Sequence, residues 1–256
     1  MRIIAVLSQD SLQSLQRSMG PSDTLMRASG ALALTRMINA RTADAVVIDP
    51  TVVGAVEWAR ARLVLQSARI PVLIYTSLDR ASIQRVLSAS AIGPHEVLFR
   101  HIDDDAAAMR RRLETLGRPA PPSRLLSMLA GRIERLPAVL QSATVPLFCS
   151  GPVPRWADVL ARHANVPRRS VDRWMRRAGL AGTAALLDAA RLARVWVPLV
   201  DGHDPQVDVA VHGGYRRVQM LAGHARRIVG VSPAHFGKKL TVDEFVDRLA
   251  GYVLRD

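Results

Sequence analysis

Residues 209–233 read VAVHGGYRRVQMLAGHARRIVGVSP, and their punctuation decides how the second half of the chain folds. A short helical stretch at Val209 and Ala210 runs into Gly213-Gly214, which predicts a tight turn. An amphipathic helix is expected from Arg216 to Val229, stopped by Gly230 and then Ser232-Pro233. Val218, Leu221, Ala222, Ala225 and Val229 recur at three- and four-residue spacing and define an apolar face. Arg216, Arg217, Gln219, Arg226 and Arg227 fall largely on the other side. Two helices joined by a tight turn, the second apolar beneath and basic above, form a helix-turn-helix, whose second helix docks in the DNA major groove.

The segment resembles the second helix-turn-helix of the AraC/XylS transcription regulators. The matching positions are Val209, Ala210, Gly214, Tyr215, Gly230, Ser232 and Pro233, with no insertion or deletion between them. Two positions depart from the pattern: Gly223 stands where the family usually has Arg, and Ala225 where it usually has Phe. Glycine inside a helix costs about 1 kcal/mol relative to Ala, and the lost ring removes material from a small core. The expectation is a less rigid second unit, or a helix pressed closer to another backbone.

That family carries two such units, and a second copy lies upstream. Trp156 to Ala161 reads as a first helix, His163 to Pro167 as the turn, and Arg168 to Ala178 as a recognition helix stopped by Gly179. Val171, Trp174, Met175 and Ala178 make its apolar face, leaving Arg168, Arg169, Asp172, Arg173 and Arg176 facing out. Thr183 to Val197 resembles the family's connecting helix, with Arg191-Leu192 at its Arg-Leu position; Pro198 is expected to close it, and 200–206 to form a loop. The resemblance covers about residues 150–237 and implies an all-α domain over 151–256 that reads double-stranded DNA with two recognition helices. The candidate contacts are Arg168, Arg169, Ser170, Asp172 and Arg173 in the first unit, and Arg216, Arg217, Gln219 and Met220 in the second. Arg suits guanine, Gln219 suits adenine, and Asp172 suits cytosine or the orientation of a neighbouring Arg.

Composition agrees without deciding. The net charge of +13 suits a polyanionic partner. Yet residues 1–150 hold 18 Arg against 12 acids, and residues 151–256 hold 17 Lys and Arg against 10, so the charge does not localise. All the basic residues are Arg except Lys238 and Lys239. A single cysteine, Cys149, excludes an internal disulfide framework and any CxxC metal knuckle. With no long apolar run and an N-terminus (MRIIAVLSQD) too soon polar for a signal peptide, the expectation is a cytoplasmic chain with no membrane partner.

Residues 1–116 alternate strand-like and helix-like segments, which predicts an α/β domain with a mainly parallel sheet. Expected strands are Ile3 to Leu7, Ala45 to Ile48, Ile70 to Tyr75 and Glu96 to Phe99. Expected helices lie over Asp10 to Met19, Ala31 to Ala43, Val56 to Ser67, Arg80 to Ala89 and Asp105 to Leu116, with acids 103–105 at the last one's positive end. This order resembles the three-layer, flavodoxin-like receiver domain of response regulators, with Asp49 at the place of the phosphoacceptor and Thr76 at that of the hydroxyl. The chemistry looks dismantled. Leu7-Ser8-Gln9 stand where receivers carry an acidic pair for Mg²⁺, Arg100 replaces the lysine and His101 the proline. Asp49 therefore reads either as a phosphoacceptor or as a residual strand-end acid capping a turn. Such a scaffold would supply a dimer interface, a docking face for another regulatory protein, or a site for a small-molecule effector.

Residues 117–150 read as a Pro-rich linker (Gly117 to Pro122) followed by a helix over Ser123 to Leu136. Its stripe of Leu125, Leu126, Leu129 and Ile133 is expected either to pack within the chain or to pair with a second protomer in a homodimer. A further Pro-containing stretch spans 146–154. His163, His203, His212 and His224 have no acidic or Cys neighbours at ligand spacing, so no metal is expected. Trp156, Trp174 and Trp196 read as core, and Arg110, Arg111 and Arg112 as a solvated face. There is no GxSxG, P-loop or GxGxxG after the first strand, and the expectation is no enzyme and no cofactor.

Overall fold

The computed structural model describes all residues except 94, 103, 119, 150–157, 203–205 and 255–256, and only the backbone of 158 and 212. It divides into two compact units, Met1–Arg118 and Pro119–Asp256.

The first unit is built on a five-stranded parallel sheet: β1 (Arg2–Val6), β2 (Thr24–Arg27), β3 (Ala45–Ile48), β4 (Val72–Thr76) and β5 (Glu96–Phe99), in the order β2-β1-β3-β4-β5. The inner strands read as continuous apolar runs because helices cover both sheet faces. Ile3, Ile4, Ala5 and all of β3 and β4 are buried. Ile4 pairs with Met26 on one side and Val46 on the other. The strand β2 has no counterpart among the expected strands. It is a four-residue edge strand, half exposed, with a single neighbour and no apolar alternation. Helices α1 (Gln9–Ser18) and α5 (Ala106–Thr115) pack together on one face, and α2 (Ala31–Asn39) packs on α3 (Ala55–Ala68). Helix α4 (Arg80–Ser88) continues into a 3₁₀ turn that α3 covers. The strand order reverses between β1 and β3, so the carboxyl ends of β1, β3 and β4 surround the crevice where open parallel sheets usually place their polar chemistry.

The second unit is helical, and it begins earlier than the sequence suggests. Helix α6 (Pro121–Ile133) takes both prolines into its first turn, where a missing N–H costs nothing. It packs on α10 (Thr183–Asp201) and α13 (Val242–Val253). Leu125, Leu126, Leu129 and Ile133 are all buried there, each contributing about 1.5–3 kcal/mol. The helix expected after the linker is present, and its apolar stripe is covered by the chain's own helices, the first of the two readings open to it; only Pro121 and Pro122 move from linker to helix. Helix α7 (Ala138–Thr144) and a 3₁₀ turn, Val145–Phe148, complete this layer, burying Leu140, Leu147 and Phe148. The helix α8 (Asp158–His163) is described from Asp158 on; Trp156 and Ala157, expected to start it, lie outside the described residues. Helices α9 (Arg168–Arg177), α11 (Gln206–His212) and α12 (Val218–Val229) complete the unit.

Two boundaries move. Pro198 does not close α10, which runs on to Asp201 and ends at Gly202 in the left-handed region. Pro198 still removes one ladder donor, but the helix is held by buried Val195 and Trp196 just before it. Trp196 stacks on Phe236 and lies 4.3 Å from Phe245, so an aromatic triad fills the centre of this unit. The second displaced boundary is the start of α12, two residues later than expected. Arg216 and Arg217 precede the helix, and Arg217 is its extended N-cap.

Candidate nucleic-acid interface

Helices α8 and α9 form a pair joined by residues 164–167, with Asn165 in the left-handed region. Val171 and Met175 are buried beneath α9, while Arg168, Arg169, Arg173, Arg176 and Arg177 are exposed on it. Trp174 is only half-buried, so its expected place in the core is held in part. The first turn of α9 holds no acid, and its N-cap, Pro167, supplies no side-chain acceptor. Arg168 and Arg169 therefore stand at the helix's positive end. Ser170 is half-buried, and its hydroxyl accepts weakly, at 3.4 Å, from Arg173.

Asp172 differs from its neighbours. Its Oδ1 accepts from the backbone N–H of Thr183 at 3.1 Å and from the Thr183 hydroxyl at 2.8 Å. Its Oδ2 lies 3.7 Å from Arg168 Nε. Of the two roles expected for it, orienting an Arg matches this geometry; as a base acceptor it has one oxygen already spent.

The second pair, α11 and α12, is joined through Gly213 and Gly214, which are needed for different reasons. Gly214 turns the chain at φ +80°, whereas a Cβ on Gly213 would collide with Val195 of α10. Leu221, Ala225 and Val229 lie fully buried under α12, and Arg216, Arg217, Gln219, Met220 and Arg226 are exposed. Helix α12 has arginine at its N-cap and, like α9, no acid in its first turn and no side-chain cap. Gly223 is exposed, with nothing within 4 Å of the place its Cβ would take. The expectation that it presses the helix against another backbone is therefore corrected.

Sequence reasoning passed over Asp188 on α10. Its carboxylate accepts from Arg227 at 2.9 Å, tying α12 to α10, and lies 3.5 Å from Arg191 and from His224 Nδ1. Arg227 is thereby drawn aside and also lies 5.9 Å from the Tyr252 ring. Burial holds the His224 imidazole below its usual range, Asp188 pulls the other way, and Arg227 and Arg191 add to the depression. An open cleft of about 590 Å³ runs between Arg168, Arg169 and Arg176 of α9, the start of α10 and Tyr252. Arg176, Arg177 and Tyr252 were not among the chosen contacts. The arginines lay in plain view on the helical face, but Tyr252 is 76 residues from Arg176 in the chain and no local pattern connects them.

In the first unit Asp49 is fully buried at the end of β3. Its Oδ1 accepts from the Thr51 N–H at 2.9 Å, the Thr51 hydroxyl at 2.7 Å and the Thr76 hydroxyl at 2.9 Å. Arg100 lies 3.2 Å from Oδ2 and donates onward to Ser11 and Ser77. Ser8 caps α1, and Asp10 sits exposed in that helix's first turn. The Arg100 guanidinium occupies the side of Asp49 where a divalent cation would need further carboxylates. Arg110 and Arg112, expected as a solvated face, are tied to the Ser18 carbonyl and to Glu96. Among the described residues no cluster of three or more His, Cys, Asp or Glu is placed to hold a metal, and no helix is long and apolar enough to cross a membrane. His203 and Asp103 lie outside the described residues.

No family model, curated protein or solved structure matches this chain.

Proposed function

We propose that this chain is a sequence-specific DNA-binding transcription regulator. The observation that carries the reading is α9: five exposed arginines over buried Val171 and Met175, behind a short turn from α8. In this reading α8–α9 and α11–α12 are helix-turn-helix units of AraC/XylS type, and their second helices enter successive major grooves about 10 bp apart. Arg168, Arg169 and Arg173 contact guanines or phosphates, Gln219 reads adenine, and Met220 packs on base edges. Arg216 and Arg217, ahead of α12, hold phosphate, so the second unit positions more than it specifies. The first unit is a receiver-like scaffold that regulates or dimerises. Phosphorylation of Asp49 is not favoured, because its carboxylate has no exposed surface and is already neutralised by Arg100.

The test is selection of bound fragments from randomised DNA by the full-length protein at near-physiological salt. Two enriched blocks about one helical turn apart are expected. Enrichment of one block would restrict base reading to the first unit, and no enrichment with salt-sensitive binding of any DNA would sink the assignment.

A further inference from the structure

We infer that Asp172 is a positioning residue, which clamps the first recognition helix onto the connecting helix and thereby fixes the spacing between the two DNA-reading helices. The functional consequence rests on the DNA-reading assignment above; the mechanical statement does not.

A helix start needs acceptors for its first N–H groups, and α10 has none of its own. Its N-cap is Gly182, which carries no side chain. Asp172, from the neighbouring helix, does the capping instead, with one oxygen receiving both the N–H and the hydroxyl of Thr183. Thr183 has no exposed surface, so this pair is shielded from competing water on that side. Gly182 belongs to the same device: at φ +137° only glycine is at ease, and a Cβ there would lie 3.4 Å from the Asp172 oxygen. A carboxylate at the start of a 19-residue helix also meets its positive end.

Five residues further along α10, Asp188 makes the corresponding attachment to α12 through Arg227 at 2.9 Å. At 1.5 Å per residue the two anchor points stand roughly 7.5 Å apart along one helix. One carboxylate fastens α9 to α10 and a second fastens α12, so the interval between the recognition helices is set within about a turn and a half of α10. An acid among the arginines of α9 would weaken DNA binding if it served only as surface; as a clamp it has a reason to be there.

The experiment uses the full chain with Cys149→Ala and spin labels on cysteines placed at Arg177 and Arg226, both exposed. The label-to-label distance distribution is read by pulsed electron resonance in four backgrounds. A narrow distribution is expected with Asp172 present, a broadened one in Asp172→Ala, and a narrow one again in Asp172→Asn, whose amide oxygen still accepts from Thr183. Thr183→Ala, which removes only the hydroxyl, should broaden it partially and serves if Asp172→Ala does not fold. An unchanged distribution in both alanine variants overturns the inference.

The DNA readout uses the selected two-block site with one or two base pairs inserted between the blocks. The native chain should lose about 30-fold in affinity, comparable to one or two lost base contacts. Asp172→Ala should lose several-fold less, measured against its own affinity for the uninserted site. If Asp172→Ala instead relaxes the preference at one base position and keeps the spacing preference, Asp172 is a base reader and the inference falls. If the native chain selects no two-block site, the DNA-reading assignment fails, and the distance distribution still decides the clamp.

Discussion

At the carboxyl end of β3 the Asp49 carboxylate is wrapped by two threonine hydroxyls, a backbone N–H and the Arg100 guanidinium. Removing one member of a buried ion pair strands the other, at a cost of about 3–5 kcal/mol. Asp49→Ala should therefore lower the unfolding free energy of the first unit by about 3 kcal/mol in chemical denaturation; a change below about 1 kcal/mol would mean that water already screens the pair. With a small-molecule phosphoryl donor and Mg²⁺, the native protein should take up no more phosphate than Asp49→Asn does. Stoichiometric incorporation lost in that variant would restore the phosphoacceptor. On α9, Arg173→Ala should erase roughly 1–3 kcal/mol of preference for the selected site while leaving weak, salt-sensitive binding. Equal discrimination by the two proteins would remove Arg173 from the readers. The strand-end position of Asp49 was legible because AVVI ends in Asp-Pro. Its sealing was not, because Thr76 and Arg100 reach it from separate segments, and Arg100 is itself held by Ser11 and Ser77.

Helix α12 carries two features whose effects can be separated. Gly223 is exposed and helical, and a methyl group there meets nothing within 4 Å, so Gly223→Ala should stabilise the second unit by about 1 kcal/mol; no gain in the denaturation midpoint would point to an unseen constraint on that backbone. One residue on, burial keeps His224 neutral. Its folded pKa lies below the unfolded value of about 6.5, so on acidification the unfolded chain takes up this proton first. Stability is thus intact above about pH 6.5 and falls as the pH drops below it. The loss between pH 7 and 5.5 should shrink in His224→Gln, and an identical slope would assign the pH dependence to other groups. What was legible at this scale follows burial on two sides. IIAVL, AVVI and PVLIY read as strands because both faces of the sheet are covered, whereas TLMR at the edge carries no such signature. The helix α6 was seen, but its prolines read as a linker because local sequence does not tell a first helical turn from a spacer. The Asp172–Thr183 clamp joins residues of two elements that no periodicity relates.

For the molecule as a whole the useful boundary falls at 118/119 rather than near 150. A fragment spanning 119–256 should fold with native-like near-ultraviolet dichroism. One spanning 151–256 should not, because it uncovers the faces of α10 and α13 that Leu125, Leu126, Leu129 and Ile133 occupy. Cooperative unfolding of the shorter fragment would show that α6 is dispensable. The basic face of α9 has a final consequence. It is built entirely of arginine, and the chain's two lysines lie elsewhere, at 238 and 239. Guanidinium does not lose its proton at any physiological pH, so neither acidification nor alkaline stress discharges this surface. Lysine acetylation, a common chemical means of loosening a protein from nucleic acid, finds no amine on it. Under the proposed function, release from DNA comes from ionic strength, from a competitor for the same surface, or from a change in how α9 and α12 are held.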